Sequence, residues 1–277
     1  MNSQFTIIAA TNFSETSVNA VNYAAGLAKA SGAQLLIFHS FSLPLHSANS
    51  HITADGLQLQ LNKVNTRLAL LAAELTQFYA ITITYNCSYS FLEDYLPTLI
   101  TDTNTQLVVM GMAERSFEQE LMGNATTFAI KSLNLPVLAV PLHARLHKAK
   151  KVLFAFDAKK KIAAGKLLWL GVALKHIKAE IELFSVDETL KTLKEENPGV
   201  LVKNIIDEEF QEIKYVYKSV RSNTVIAEIE KEINLYNADI LVMMPQRYGF
   251  WDSIVHRSKT RIMASGLNIP LLSLPNY

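Results

Sequence analysis

Residues 107–141, LVVMGMAERSFEQELMGNATTFAIKSLNLPVLAVP, decide the fold because they occur twice in the chain. Shifting the sequence by 134 positions places them without a gap on residues 241–275, LVMMPQRYGFWDSIVHRSKTRIMASGLNIPLLSLP, with 9 of 35 residues identical. Two unrelated segments often share an apolar pattern but seldom share identities over such a length. The chain is therefore predicted to be a tandem repeat.

Each copy alternates short apolar runs with longer amphipathic segments. The first run extends from Phe5 to Thr11, and the helix predicted after it has Ser14 as an N-cap, Glu15 at the positive end of its dipole and Gly32 at its end. Continuous apolar runs are typical of parallel strands covered on both faces, and strands alternating with helices are typical of a doubly wound sheet. We predict two tandem flavodoxin-like α/β domains, each with a five-stranded parallel sheet.

The polar stretch 143–150 has no periodicity and separates the two copies. It predicts a first domain at 1–142, a linker at 143–150 and a second domain at 151–277. Asn12 falls on Asp157 with an offset of 145, against 134 for the repeated segment, so the first copy is the longer one up to that segment. The polar loop 44–54 is the predicted insertion. The last strand of each copy is expected at an open sheet edge, where the two copies would pair with each other.

Composition argues against several classes of function. The chain has 26 Lys and Arg against 25 Asp and Glu, so no net field would attract nucleic acid or an anionic membrane. Its single cysteine, Cys87, cannot form an internal disulfide, which favours the cytoplasm. No apolar run approaches the about 20 residues that a membrane helix needs. We therefore expect no nucleic-acid partner and no membrane partner.

A ligand is expected where the strand order reverses, outside the carboxyl ends of the first and fourth strands. In the first copy, this crevice is bounded by the turn 11–14 and by the loop that begins at Gly111. In the second copy, it is bounded by Asp157 and the loop that begins at Pro245.

Each half resembles a universal stress protein domain, and the whole chain resembles a tandem universal stress protein. The resemblance lies in IIAATNFSETS from Ile7, in LVVMG…LMGN…LNLPVLAVP, and in KVLFAFD…LVMMP…HRS…LNIPLLSLP. It implies a stress-response protein whose cofactor is ATP or a related adenine nucleotide. In relatives that bind ATP, an acid at the end of the first strand meets adenine, and the amides of a G-x2-G-x9-G-S/T loop meet the phosphates.

Neither copy keeps that pattern intact. In the first copy, Asn12 replaces the acid, Glu114 replaces the second glycine and Asn124 replaces Ser/Thr, while Gly111 and Gly123 survive with a spacing one residue short. Glycine lets the backbone approach a phosphate closely, whereas a carboxylate facing it would repel it.

The second copy keeps Asp157 and Ser258 but has Pro245, Tyr248 and Arg257 where the three glycines would be. Proline removes an amide donor, and the two larger side chains crowd the space. The candidate nucleotide-binding residues of both copies are Asn12, Gly111, Glu114, Gly123, Asn124, Asp157 and Ser258.

Two functions stay open. The first is a stress-response protein with weak or one-sided adenine-nucleotide binding, and the second is a scaffold that binds no nucleotide and acts through self-association or a protein partner. Slow ATP hydrolysis is the weakest hypothesis, because neither loop offers a base or a metal ligand, and no catalytic residue is assigned. No metal site is predicted, since His39, His46 and His51 have no carboxylate or thiol at ligand spacing.

Overall fold

The computed structural model describes residues 5–41, 54–112, 124–156, 164–187, 215–244 and 268–275. The chain divides into two compact units, Met1–His143 and Ala144–Tyr277. The linker at 143–150 stays a prediction, and a short 3-10 helix, Leu146–Lys148, lies within it. None of the helices in the described part of the chain combines the length and the hydrophobicity needed to cross a bilayer.

The first unit contains a parallel sheet with the strand order β3-β2-β1-β4-β5. Its strands are β1 Thr6–Ala10, β2 Gln34–Phe41, β3 Ile83–Tyr89, β4 Thr105–Gly111 and β5 Val137–Val140. Its described helices are α1 Glu15–Ser31, α2 Ala54–Tyr79, α3 Leu92–Asp102 and α4 Asn124–Ser132. The strand order reverses between β1 and β4, which is where the sequence places the crevice.

Helix α1 shows why this sequence folds as predicted. The Ser14 side chain accepts a hydrogen bond from the Ser17 backbone, and Gly32 ends the helix in the left-handed conformation at φ 70°. The buried face of the helix consists mostly of small residues, four of them alanine, so the helix lies close to strands that are themselves buried on both faces. Local capping and one small-residue face are enough to set this βα unit.

The second unit repeats the order, β10-β9-β6-β7-β8. Its strands are β6 Lys151–Phe156, β7 Glu180–Asp187, β8 Tyr215–Arg221, β9 Ile240–Met243 and β10 Leu271–Ser273. Its described helices are α5 Ala164–Ile177 and α6 Val225–Tyr236. The predicted fold class is confirmed. The sequence also predicts helices at about 199–212 and 253–265, and both segments lie outside the described residues.

Hydrogen bonds between neighbouring strands show how the two copies correspond. Val108 N donates to Pro136 O in the first unit, and Leu241 N donates to Pro270 O in the second. The two prolines differ by 134 positions, but the two strand residues differ by 133. Pairing with the first strand of each unit shows the same difference. Ile7 of β1 pairs with Leu107, and its counterpart Val152 of β6 pairs with Ile240, which is 133 positions after Leu107.

The gapless alignment is therefore wrong by one residue at the fourth strand of the repeat. Gly111 corresponds to Met244, and not to Pro245 as the shift of 134 predicts. The reason is that LVVM and LVMM are apolar at every position, so identities alone do not distinguish neighbouring registers.

The extra length of the first copy lies between its second and third strands. Leu35 of β2 pairs with Ile83 of β3, whereas Ile181 of β7 pairs with Tyr215 of β8. The stretch of chain between the paired residues is thus clearly longer in the first copy, where it contains α2 and the predicted loop. The loop itself lies outside the described residues.

Candidate functional site

The turn after β1 is held by a cluster of hydroxyl groups. Thr11 Oγ1 and Ser17 Oγ lie 3.0 Å apart, Phe13 N donates to Thr11 Oγ1 at 3.0 Å, and Asn12 N donates to Ser17 Oγ at 3.3 Å. Side-chain oxygens thus satisfy the backbone donors that precede α1. These hydrogen bonds within the protein hold the turn in place without a ligand.

Asn12 is exposed, and only its amide nitrogen is left to meet a ligand. Its Oδ1 accepts hydrogen bonds from Ser14 N at 3.1 Å and from Ser14 Oγ at 2.7 Å. Because a backbone N–H can only donate, the atom facing Ser14 must be the oxygen. The other end of the side chain therefore offers two N–H donors, whereas an aspartate here would offer a second acceptor.

Phe13 follows in the left-handed conformation, with φ 63°. This conformation is rare for a bulky residue and has a backbone cost of order 1 kcal/mol. It places the Phe13 ring 4.8 Å from the imidazole of His39, and the Arg67 guanidinium lies 4.1 Å from the Phe13 ring centre. The three side chains, Phe13, His39 and Arg67, form what we call the Phe13 stack.

His39 is buried at the carboxyl end of β2. Its Nδ1 donates to the carbonyl oxygen of Thr11 at 2.6 Å, which fixes the tautomer with the proton on Nδ1. Burial lowers the pKa of His39, the bond to Thr11 opposes that change, and the positive charge of Arg67 lowers the pKa further. His39 is thus held as a neutral donor that ties β2 to the turn after β1.

Gly111, at the end of β4, has a packing role. A Cβ at this position would lie 3.0 Å from Ser17 N and 3.1 Å from Ser17 Cα and from the carbonyl carbon of Thr16. Thr126 Oγ1 donates to Gly111 O at 3.1 Å and so fixes α4 to the same strand end. Glycine is needed here because the first turn of α1 approaches β4 closely.

The first and fourth strands of the second unit, β6 and β9, both end in apolar residues. Phe156, the last residue of β6, is buried, with its ring 5.4 Å from Phe154 and 6.3 Å from Tyr217. Met244 follows β9 at the position that corresponds to Gly111. In neither unit do the described residues form a group of three or more His, Cys, Asp or Glu side chains able to hold a metal ion.

Comparison with known families decides what kind of domain the first unit is. Residues 5–141 match the universal stress protein family. The chain belongs to this family. Its membership supports a role in stress response and agrees with the parallel α/β fold described above.

Solved structures extend the likeness over both units of this universal stress protein. A universal stress protein from Archaeoglobus fulgidus DSM 4304 is 16% identical, with a TM-score of 0.74 and 98% of each chain covered. A functionally unknown protein from Pseudomonas aeruginosa PAO1 is 12% identical, with a TM-score of 0.56, and covers 99% of this chain and 93% of its own. The cytoplasmic domain of a prokaryotic cation chloride cotransporter is 10% identical, with a TM-score of 0.57. The match covers 98% of this chain and 94% of that domain.

At such identities these likenesses show the fold alone. A comparison with curated proteins finds no match. The family assignment therefore rests on the first unit. The second unit resembles the first because it repeats the same strand order.

The structure brings two of the predicted site residues together. Asn12 lies in the turn after β1, and Gly111 ends the adjacent strand β4. Both meet Ser17, one through a hydrogen bond and the other through close backbone packing. Asn124 is the first residue of α4. Four predicted site residues lie outside the described residues, namely Glu114, Gly123, Asp157 and Ser258.

Sequence reasoning did not identify the Phe13 stack. Phe13 is next to the predicted Asn12, but Arg67 is on α2, and no spacing in the sequence relates the two. Only the packing of α2 near the β1 turn brings the guanidinium over the ring.

Proposed function

We propose that this universal stress protein binds an adenine nucleotide weakly, in its first unit, without turning it over. The observation that carries the proposal is the exposed amide of Asn12, whose oxygen is occupied by Ser14 and whose two N–H donors are left at the β1 end of the crevice. Purine ring nitrogens accept hydrogen bonds, so an amide donor suits them. Recognition would thus fall on the base or ribose more than on the phosphates.

Weak binding is expected because the phosphate end of the crevice offers little. Gly111 is already in close contact with the first turn of α1, so its neighbourhood is filled by protein. Glu15 places a negative charge in the first turn of α1, where a phosphate would otherwise profit from the helix dipole. Glu114, where the family pattern has glycine, would add a second negative charge.

Calorimetric titration of the full chain with ATP and with adenosine tests the proposal. We expect dissociation constants no tighter than the high micromolar range, about −5 kcal/mol, and similar values for both ligands. Binding of ATP in the submicromolar range would contradict the proposal, because it would require an intact phosphate loop.

Two variants locate the site. Asn12→Asp keeps the oxygen that Ser14 needs and removes both N–H donors, so affinity for adenosine should fall by about tenfold, the scale of one hydrogen bond. Asp157→Asn is the matched change in the second unit and should leave affinity unchanged. Tighter or equal binding by Asn12→Asp, or loss of binding by Asp157→Asn, would overturn the assignment to the first unit.

The alternative function, a scaffold that acts by association, is favoured by a different observation. Large apolar side chains are exposed on α2, on the edge strand β3 and just after it, namely Leu59, Leu70, Phe78, Tyr85, Tyr89 and Phe91. Exposed large apolar side chains can mark protein contacts when they form a patch. Sedimentation of the wild-type chain and of Phe78→Lys distinguishes the functions, because only a scaffold that associates through Phe78 would change mass with the substitution.

A further inference from the structure

The second unit buries two carboxyl groups against each other. Glu182, on β7, is 7% exposed, and Glu232, in the last turns of α6, is 4% exposed. Charged side chains are rarely buried to this extent unless they are paired. The two carboxyl groups lie close enough for Glu232 to act directly on Glu182. Because two ionised carboxylates have no proton to donate, a hydrogen bond between them would require a proton on one of them.

One positive charge accompanies the pair. Lys218, on the edge strand β8, places Nζ 2.5 Å from Glu232 Oε2, and its side chain is 40% exposed. One ammonium group balances one carboxylate. Glu182 Oε1 is buried without a hydrogen-bond partner, so no hydrogen bond stabilises a negative charge on that atom. Burial raises the pKa of Glu182 to about 7, and Glu232 adds to the increase while Lys218 opposes it.

Tyr236 is a further titratable group that interacts with Glu182. Burial raises the pKa of Tyr236, at the end of α6, to about 12, and the carboxylates of Glu180, Glu182 and Asp239 add to the increase. Lys151, on β6, donates from Nζ to Tyr236 O at 3.3 Å and lies 5.2 Å from its ring centre. Tyr236 therefore keeps its proton near neutral pH, whereas Glu182 has its pKa in that range.

We propose that Glu182 and Glu232 form a proton-operated latch between α6 and the sheet of the second unit. With one proton shared, the pair carries a single negative charge that Lys218 balances, and α6 stays on β7. When the proton leaves near neutral pH, two carboxylates face each other in a buried place with one ammonium group, and α6 is loosened. The pair lies in the half of β7 nearer its amino end, away from the carboxyl ends where a ligand would bind.

Hydrogen exchange of the full chain measures the latch directly. The opening constant of α6 at residues 225–236, corrected for intrinsic exchange, should rise by up to about tenfold between about pH 6 and pH 8, which is the change that a carboxyl group with a pKa near 7 gives on losing its proton. The sign follows from the raised pKa, because the closed state binds the proton more tightly than the open state. Opening that is equal at both pH values would overturn the proposal.

Three substitutions separate the latch from general packing. Glu182→Gln keeps a neutral donor toward Glu232 and cannot titrate, so α6 should open equally at both pH values. Lys218→Met removes the balancing ammonium and should move the increase in opening to higher pH. Glu228→Gln, on the same helix but in a surface pair with Lys231, is the matched control and should keep the wild-type increase. An unchanged pH dependence in Glu182→Gln would show that another group titrates and would overturn the latch.

Discussion

The first unit buries a histidine at the carboxyl end of β2, whereas the second unit buries a pair of carboxyl groups between β7 and α6. The pKa of His39 is lowered, and the pKa of Glu182 is raised to about 7. Both changes have the same cause, because burial disfavours the charged form of any group. Opposite pH responses thus arise from one physical effect in two copies of one fold.

The repeat therefore conserves the strand order but not the chemistry within it. The polar network of the first unit surrounds the end of β1, where Asn12 is exposed, while the buried carboxyl groups of the second unit lie between α6 and the amino-terminal half of β7. A ligand and a proton would consequently act on different units. Substitutions made in matched pairs, one in each unit, test this difference.

The largest effect is expected at two glycines, one in each unit. Gly111→Ala would place a Cβ 3.0 to 3.1 Å from the backbone of α1, so the first unit should lose about 1–3 kcal/mol of unfolding free energy, the scale of overpacking. Gly165→Ala, in α5, meets nothing within 4 Å and should instead add up to about 1 kcal/mol through helix propensity. Urea denaturation of each variant measures both values. Equal stability of Gly111→Ala and the wild type would mean that α1 can move away from β4.

The second comparison uses pH. Because the folded pKa of His39 lies below its usual 6.5, the unfolded chain binds the proton more tightly, and the first unit should lose stability as pH falls below about 6.5. The second unit should do the reverse and lose stability as pH rises through about 7. His39→Asn keeps a donor for the Thr11 carbonyl and should remove only the loss on the acid side, as seen in denaturation curves between about pH 5 and 8. A loss that persists in His39→Asn would point to another group.

The third comparison concerns the residues that precede two helices. Ser14 caps α1 through its side chain, whereas Thr224, before α6, makes no such bond. Ser14→Ala should therefore cost about 1 kcal/mol, and Thr224→Ala should change stability by much less. Thermal unfolding of the two variants checks the difference. Similar losses in both would show that the Ser14 hydroxyl acts through something other than the cap.

Local signals account for what the sequence predicts well. Ser14 and Gly32 lie at the two ends of α1 and act on their own backbone, so the helix bounds follow from the residues themselves. Register is different. In a run such as LVVM every residue is apolar, so a shift by one position leaves the pattern unchanged, and only the hydrogen bonds to the next strand distinguish Met244 from Pro245 as the counterpart of Gly111.

Contacts between distant elements explain what the sequence does not reveal. The run EIELFSV alternates charged and apolar residues at its start, which is typical of a strand with one face in water. Glu182 is nevertheless buried, because α6, which comes much later in the chain, covers that face and brings Glu232 against it. Arg67 and Phe13 are likewise far apart in the sequence and meet only in the folded chain. No spacing in the sequence predicts either the contact of Glu182 with Glu232 or that of Phe13 with Arg67.

The smallest effect is expected at the Phe13 stack, and it links the stack to the pH response of the first unit. Arg67 is exposed, so its contact with the Phe13 ring contributes only about 0.5–1 kcal/mol. Its positive charge also lowers the pKa of His39, so Arg67→Met, which keeps apolar contact with the ring, should raise the pKa of His39 toward its usual value. An NMR titration of the His39 imidazole measures that change. Lys63→Met, one turn earlier on α2, removes an equal charge that does not face His39, and an equal rise there would show that the net charge of the helix, and not the stacked guanidinium, sets the pKa of His39.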